Sequence, residues 1–139
     1  MNAVEATFVA NFIRKERRER VVFELNSESK RGKFLNRLCH DYLSILDARY
    51  LHPLQGLGVN PGELMQRLRK LGARKECHVI SFKDSVDGKQ MTLEDAIHAT
   101  VGFGLPSILI CIPDSLCYFE AEQERGAGPR YLLRKEYKR

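Results

Sequence analysis

Five cations, Arg14, Lys15, Arg17, Arg18 and Arg20, fall within seven consecutive positions of the stretch FIRKERRERVVFEL. Cations gathered this densely suit phosphate groups, which give such a patch affinity without sequence reading. Lys30, Arg31, Lys33 and Arg37 follow in the next segment. If the two segments form neighbouring helices, all nine cations can share one surface. Interleaved acids temper the case. Lys15–Glu19, Glu16–Arg20 and Arg20–Glu24 stand four residues apart, and each such pair adds about 0.2–0.5 kcal/mol to an exposed helix. Residues 14–20 therefore carry +3 rather than +5. An acidic protein surface, including that of a second copy of this chain, suits these cations as well as nucleic acid does. Aromatic interleaving is thin, and no zinc-finger or RNP pattern accompanies the cations.

A second set of residues points to enzymatic chemistry. Lys83, Asp84 and Asp87 follow the apolar segment ECHVISF, and Asp114 and Ser115 follow SILICI. A helix between two strands makes them parallel through a right-handed crossover. The carboxyl ends of both strands would then share an edge, where α/β sheets hold ligands. Asp84, Asp87 and Asp114 would bind Mg²⁺ through oxygen, with Lys83 on a phosphate. This alternative makes the chain a small enzyme acting on a phosphate ester or nucleotide. The competing explanation is that Asp, Ser, Gly and Pro are the residues turns are made of. Pro113-Asp114 with Glu136 and Lys138 imitates a nuclease pattern, but the intervening hairpin fits it badly. Glu120 and Glu122, two apart on a strand, read as a polar outer face with Phe119 turned inward, or as acids meeting Arg130 or Arg134.

The four cysteines offer little as ligands. No C-x-x-C or H-x-x-x-H spacing occurs, so no metal site is expected. Cys-His dipeptides stand at 39–40 and 77–78, and neighbours on a strand point to opposite faces. Buried core thiols are the default. A three-residue loop at 113–115 would set Ile112 against Leu116 and Cys111 against Cys117. GLGVNPG, before a helix start, lacks the spacing, the preceding strand and the lysine of a phosphate loop.

These groups need elements to hold them. The chain has 139 residues, 43% apolar and 29% charged, which fits one soluble domain with its own core. Residues 1–75 hold 15 basic and 8 acidic residues, +7, and residues 76–139 hold 8 and 10, −2. Phe8, Val9, Phe12 and Ile13 form one helical stripe, and the region from Glu5 to Leu25 reads as helix broken once, with residues 19–25 open to a strand reading. A second helix spans about 28–45. HPLQGLGVNPG (52–62) reads as a loop. A third helix starts at the Asn60 cap with Pro61 at its first position and stops at Gly72. Strand 76–82, a loop, helix 92–102 capped by Thr92, strand 107–112 and its hairpin partner 116–122 follow, then a last strand or short helix at 130–136.

The expected fold is α+β: N-terminal helices packed on a small mixed β-sheet, with a β-α-β-β core in the C-terminal half. One domain, 1–139, divides into a basic helical half, 1–72, and a β-rich half, 73–139. No segment reaches the ~20 apolar residues of a membrane span, and the order of charges near residue 5 is not that of a signal peptide. A cytoplasmic protein with reduced thiols and no membrane partner is expected. The leading function is a non-enzymatic binding or regulatory module whose basic face takes a nucleic acid or an acidic protein. It requires no cofactor, whereas the enzymatic alternative requires Mg²⁺.

Overall fold

The computed structural model describes residues 2–54, 60–103, 105–111, 115–122 and 129–135. The fold is α+β, with N-terminal helices followed by strands. Helix α1 spans Ala3–Phe12 and begins where the Asn2 side chain accepts the Glu5 N–H at 2.9 Å. The chain leaves helical geometry at Ile13, which bridges Leu46, and a 3-10 turn at Lys15–Arg17 leads into α2, Arg18–Leu25. The single break is as expected, and residues 19–25 are helical. Helix α3 spans Arg31–Ile45, with non-helical angles at Asp41 (φ −150°, ψ 38°).

Six strands form one sheet in the order β1-β6-β5-β4-β2-β3: β1 is Leu51–Pro53, β2 Glu76–Ser81, β3 Gln90–Thr92, β4 Ser107–Cys111, β5 Leu116–Glu120 and β6 Arg130–Arg134. Every pairing is antiparallel, so the sheet is not mixed. The expected parallel crossover fails because of β3. After β2 the chain turns at 84–88 and comes back along β3 beside it. Helix α5, Leu93–Thr100, then runs in the direction of β2, so β4 must return against it. QMT is only three residues long and carries no periodicity that marks this extra reversal in the sequence. Edge strand β1, ending in Pro53, was likewise hidden inside a segment that reads as a loop.

The sheet is covered on both faces. Along β4, Ile108 and Ile110 face α1–α3, while Leu109 and Cys111 face α5 and helix α4, Pro61–Lys70. This strict alternation explains the almost unbroken apolar run of SILIC: each face has its own core. Phe8, Phe12, Phe34 and Leu38 fill the first core with Phe119, and Leu64, Leu68, Leu93 and Ile97 fill the second with Tyr118. Helix α4 therefore packs on the face opposite α1–α3. Its ends follow local chemistry. Asn60 accepts the Gly62 and Glu63 N–H groups, and Gly72 adopts φ +109°, which a side chain would strain. Thr92 caps α5 by accepting the Asp95 N–H at 3.1 Å.

Candidate functional site

Helices α2 and α3 pack as neighbours, which brings part of the basic set together. Arg17, Arg20 and Arg37 lie within electrostatic reach of one another, as do Lys30, Lys33 and Arg20. Lys33 is held below the ordinary lysine range, first by its contact with Lys30 and then by the charges of Lys30 and Arg20. Burial, then Arg20 and Arg17, disfavour the charge on Arg37. One acid sits beneath this cluster. Glu24, 1% exposed, takes ion pairs from Arg37 and, at 3.4 Å, from Arg20. Arg20 also lies 5.4 Å above the exposed ring of Phe23, beside Glu16 and Glu19. Lys15 is exposed in the 3-10 turn before α2.

Three other cations of the expected face bond to groups of the chain itself. Arg14 donates through Nε and a terminal nitrogen to the Leu43 carbonyl at 3.2 and 2.9 Å. Arg18 donates to the Ile13 carbonyl at 3.0 Å. Both satisfy carbonyls at the ends of their neighbouring helices. Arg31 departs furthest from an open basic face. It donates to both oxygens of Glu5 at 2.8 and 3.0 Å and to both oxygens of Asp87 at 2.9 and 3.0 Å. Two fork-like pairs on one guanidinium use the geometry that distinguishes arginine from lysine.

The network extends into the sheet. His78 Nε2 stands 2.6 Å from Glu5, with Nδ1 facing the Asn2 amide at 3.2 Å. Asp87 also accepts the Ser81 N–H at 3.0 Å. Burial would raise the Glu5 carboxyl, but hydrogen bonds from His78 and Arg31 outweigh it and hold its pKa at about 2. For Arg31, burial opposes the charge, and the bonds to Glu5 and Asp87 overcome that and hold it more firmly protonated. Above the network a cleft of about 660 Å³ opens between the α2–α3 turn and the 84–88 turn, with Arg31 and Asp87 in its wall and Asp84 exposed in its lining.

The parallel arrangement expected to gather the strand-end carboxylates does not occur. Because β2 and β4 run in opposite directions, their carboxyl ends lie at opposite edges of the sheet. Asp87 spends both oxygens on Arg31. Lys83 donates to the Ala99 carbonyl at 3.0 Å and lies 4.7 Å from the Phe103 ring, so it is turned toward α5. Asp114, like Glu136 and Lys138, lies outside the described residues. The expected polar outer face of β5 is also corrected. Glu120 is 2% exposed and accepts from the Tyr118 hydroxyl and the Gly102 N–H, with Arg130 Nε at 3.7 Å on the paired strand. Burial pushes the Glu120 carboxyl up, and these three partners oppose it.

All four cysteines carry thiols. The β4–β5 register sets Cys111 opposite Leu116 and Cys117 opposite Ile110, one residue off the expected pairing, because four residues rather than three join the strands. Cys111 instead faces Cys77 across β2 and β4. Elsewhere, Cys39 and His40 of α3 meet Glu122 beyond β5, each offering one potential metal-ligand atom within 4.8 Å of the others. Sequence spacing could not show this, since the third group is 82 residues from the second by number. Glu5 did leave a sequence signal. It stands at the i position of the Phe8, Val9, Phe12 stripe, and an acid on a core stripe needs a partner.

The chain matches no protein-family model, no curated protein and no solved structure. Its function must therefore be argued from its own side chains.

Proposed function

We propose that the chain is a non-catalytic binding module whose α2–α3 face takes the phosphate groups of a nucleic acid. The observation that carries this reading is the crowding of Arg17, Arg20, Lys30, Lys33 and Arg37 around one buried acid, Glu24. Like charges held this close repel one another in the free chain, and a polyanion laid across them relieves the repulsion. Glu24 anchors Arg20 and Arg37, which leaves Arg17, Lys30 and Lys33 as the cations of the face that do not pair with it. Exposed Phe23 beside Arg20 adds one ring on which a base can stack. No helix among the described residues is long and apolar enough to cross a membrane.

The test is fluorescence anisotropy with labelled single-stranded and duplex oligonucleotides over a range of salt. If about four phosphates are contacted, log K should fall with log salt at a slope of about −3 to −4. The double variant Arg17→Ala/Lys33→Ala should flatten that slope by roughly two contacts while keeping its thermal midpoint. Arg20 and Arg37 stay intact in this variant because they hold Glu24. Binding that does not change with salt, or no binding at low salt, overturns the reading. If an acidic polypeptide instead competes on its own with the same salt slope, the partner is a protein.

A further inference from the structure

Cys39, His40 and Glu122 come together where α3 passes the end of β5. Sγ of Cys39, a ring nitrogen of His40 and a carboxylate oxygen of Glu122 all lie within 4.8 Å of one another. His40 Nδ1 and Glu122 Oε2 are 3.9 Å apart. Ligands of a tetrahedral zinc ion at 2.0–2.3 Å stand about 3.3–3.7 Å from each other. Closing the triangle around an ion therefore needs shifts of a few tenths of an ångström between His40 and Glu122, and of up to about 1.5 Å for the wider separations. His40 and Glu122 are exposed enough to make them: their side chains are 65% and 34% accessible. Helix α3 departs from helical angles at Asp41, the residue after His40, so the ligand pair sits at the edge of a regular segment.

We propose that Cys39, His40 and Glu122 form a three-ligand site for a borderline transition-metal ion, Zn²⁺ in the first instance, with water in the fourth position. The donor set argues for this class. One thiolate, one imidazole and one carboxylate are the ligands zinc accepts, while Mg²⁺ and Ca²⁺ require oxygen throughout. An open fourth position follows from the exposure of two of the three ligands. The half-buried Cys39 enters the site as a thiol. Binding the ion exchanges the thiol proton for the metal and releases that proton to solvent. In the absence of metal, His40 Nδ1 and Glu122 Oε2 remain 3.9 Å apart, beyond hydrogen-bond distance. Cys39 and His40 share α3 with Arg37 but are none of the cations of the proposed phosphate face, and the test of the site does not depend on nucleic-acid binding.

The untagged, reduced full chain is titrated with Co²⁺ and then with Zn²⁺. One equivalent of Co²⁺ should bind with a sulfur-to-cobalt charge-transfer band and tetrahedral visible bands, and Zn²⁺ should displace it. Cys39→Ser should abolish the charge-transfer band. His40→Gln and Glu122→Gln should each weaken Zn²⁺ binding at least about tenfold, as loss of a direct ligand exceeds the outer-shell range. Zn²⁺ should also protect Cys39 from alkylation in the wild-type chain, a readout that needs no variant to fold. Absence of the band, undiminished affinity in any one of the three variants, or no protection of Cys39 overturns the site.

Discussion

The guanidinium of Arg31 grips the carboxylate of Glu5 through two hydrogen bonds of 2.8 and 3.0 Å, joining the first turn of α3 to the first turn of α1. Its other edge holds Asp87 in the β2–β3 turn, so one side chain ties two helices to the sheet. Removing it leaves two carboxylates facing each other, one of them buried. Arg31→Ala should cost about 3–5 kcal/mol, the range for breaking a buried ion pair. Arg31→Lys should recover only part of this, since an ammonium cannot form both forks. Urea midpoints of the three proteins measure it, and a loss under about 1 kcal/mol for the alanine variant would show that the clamp is not structural.

Acid should unfold the protein through Glu5. Its carboxyl is held at about 2 in the fold against an ordinary 4.5. A depressed carboxylate contributes stability that is fully present above 4.5 and is lost as the pH falls toward 2. The contribution is on the order of 3 kcal/mol. Glu120 acts the other way: its raised carboxyl costs stability as the pH climbs above the ordinary value. Glu5→Gln should therefore flatten the acid limb of a stability–pH curve between about 4.5 and 2. An unchanged limb would remove Glu5 as its cause.

Thiol chemistry should separate one cysteine from three. Cys77, Cys111 and Cys117 are fully buried, and burial pushes Cys77 up to about 12. Cys39 is half-buried. Native protein should show one thiol reacting slowly with a disulfide reagent, and all four only in denaturant. Two or more fast thiols would mean that the sheet opens readily.

Binding and stability should respond in opposite directions at Lys33. It is fully exposed and crowded by Lys30. Lys33→Gln relieves repulsion in the free chain, so the thermal midpoint should hold or rise slightly, while oligonucleotide affinity should fall about two- to fivefold with the loss of one phosphate contact. A midpoint drop of several degrees would show that Lys33 has a structural partner.

Much of the fold was legible from local rules. Asn60-Pro61 and Thr92 mark helix starts because capping is settled by residues two or three apart. The run SILIC marks a strand buried on both faces, and Glu120 facing Arg130 follows from strand pairing. Direction and register were not legible. A three-residue strand, β3, reverses the chain without a pattern long enough to notice, and that reversal separates the strand ends where a carboxylate site had been expected. The inward turn of Arg31 was hidden for a different reason. Its partners are 26 residues before it and 56 after it, and only the packing of α1 and the 84–88 turn chooses them over solvent. Nine cations in sequence thus became a smaller open cluster and a buried clamp.

The six-stranded sheet ends on both sides in strands of three residues, and one of these closes on Pro53. So short a margin gives another chain almost nothing to hydrogen-bond against, and proline removes a donor from one of the two. Strand exchange and fibril-like growth are thereby blunted despite a central sheet rich in Ile, Leu and Val. A second copy of this chain gains little by lengthening the sheet.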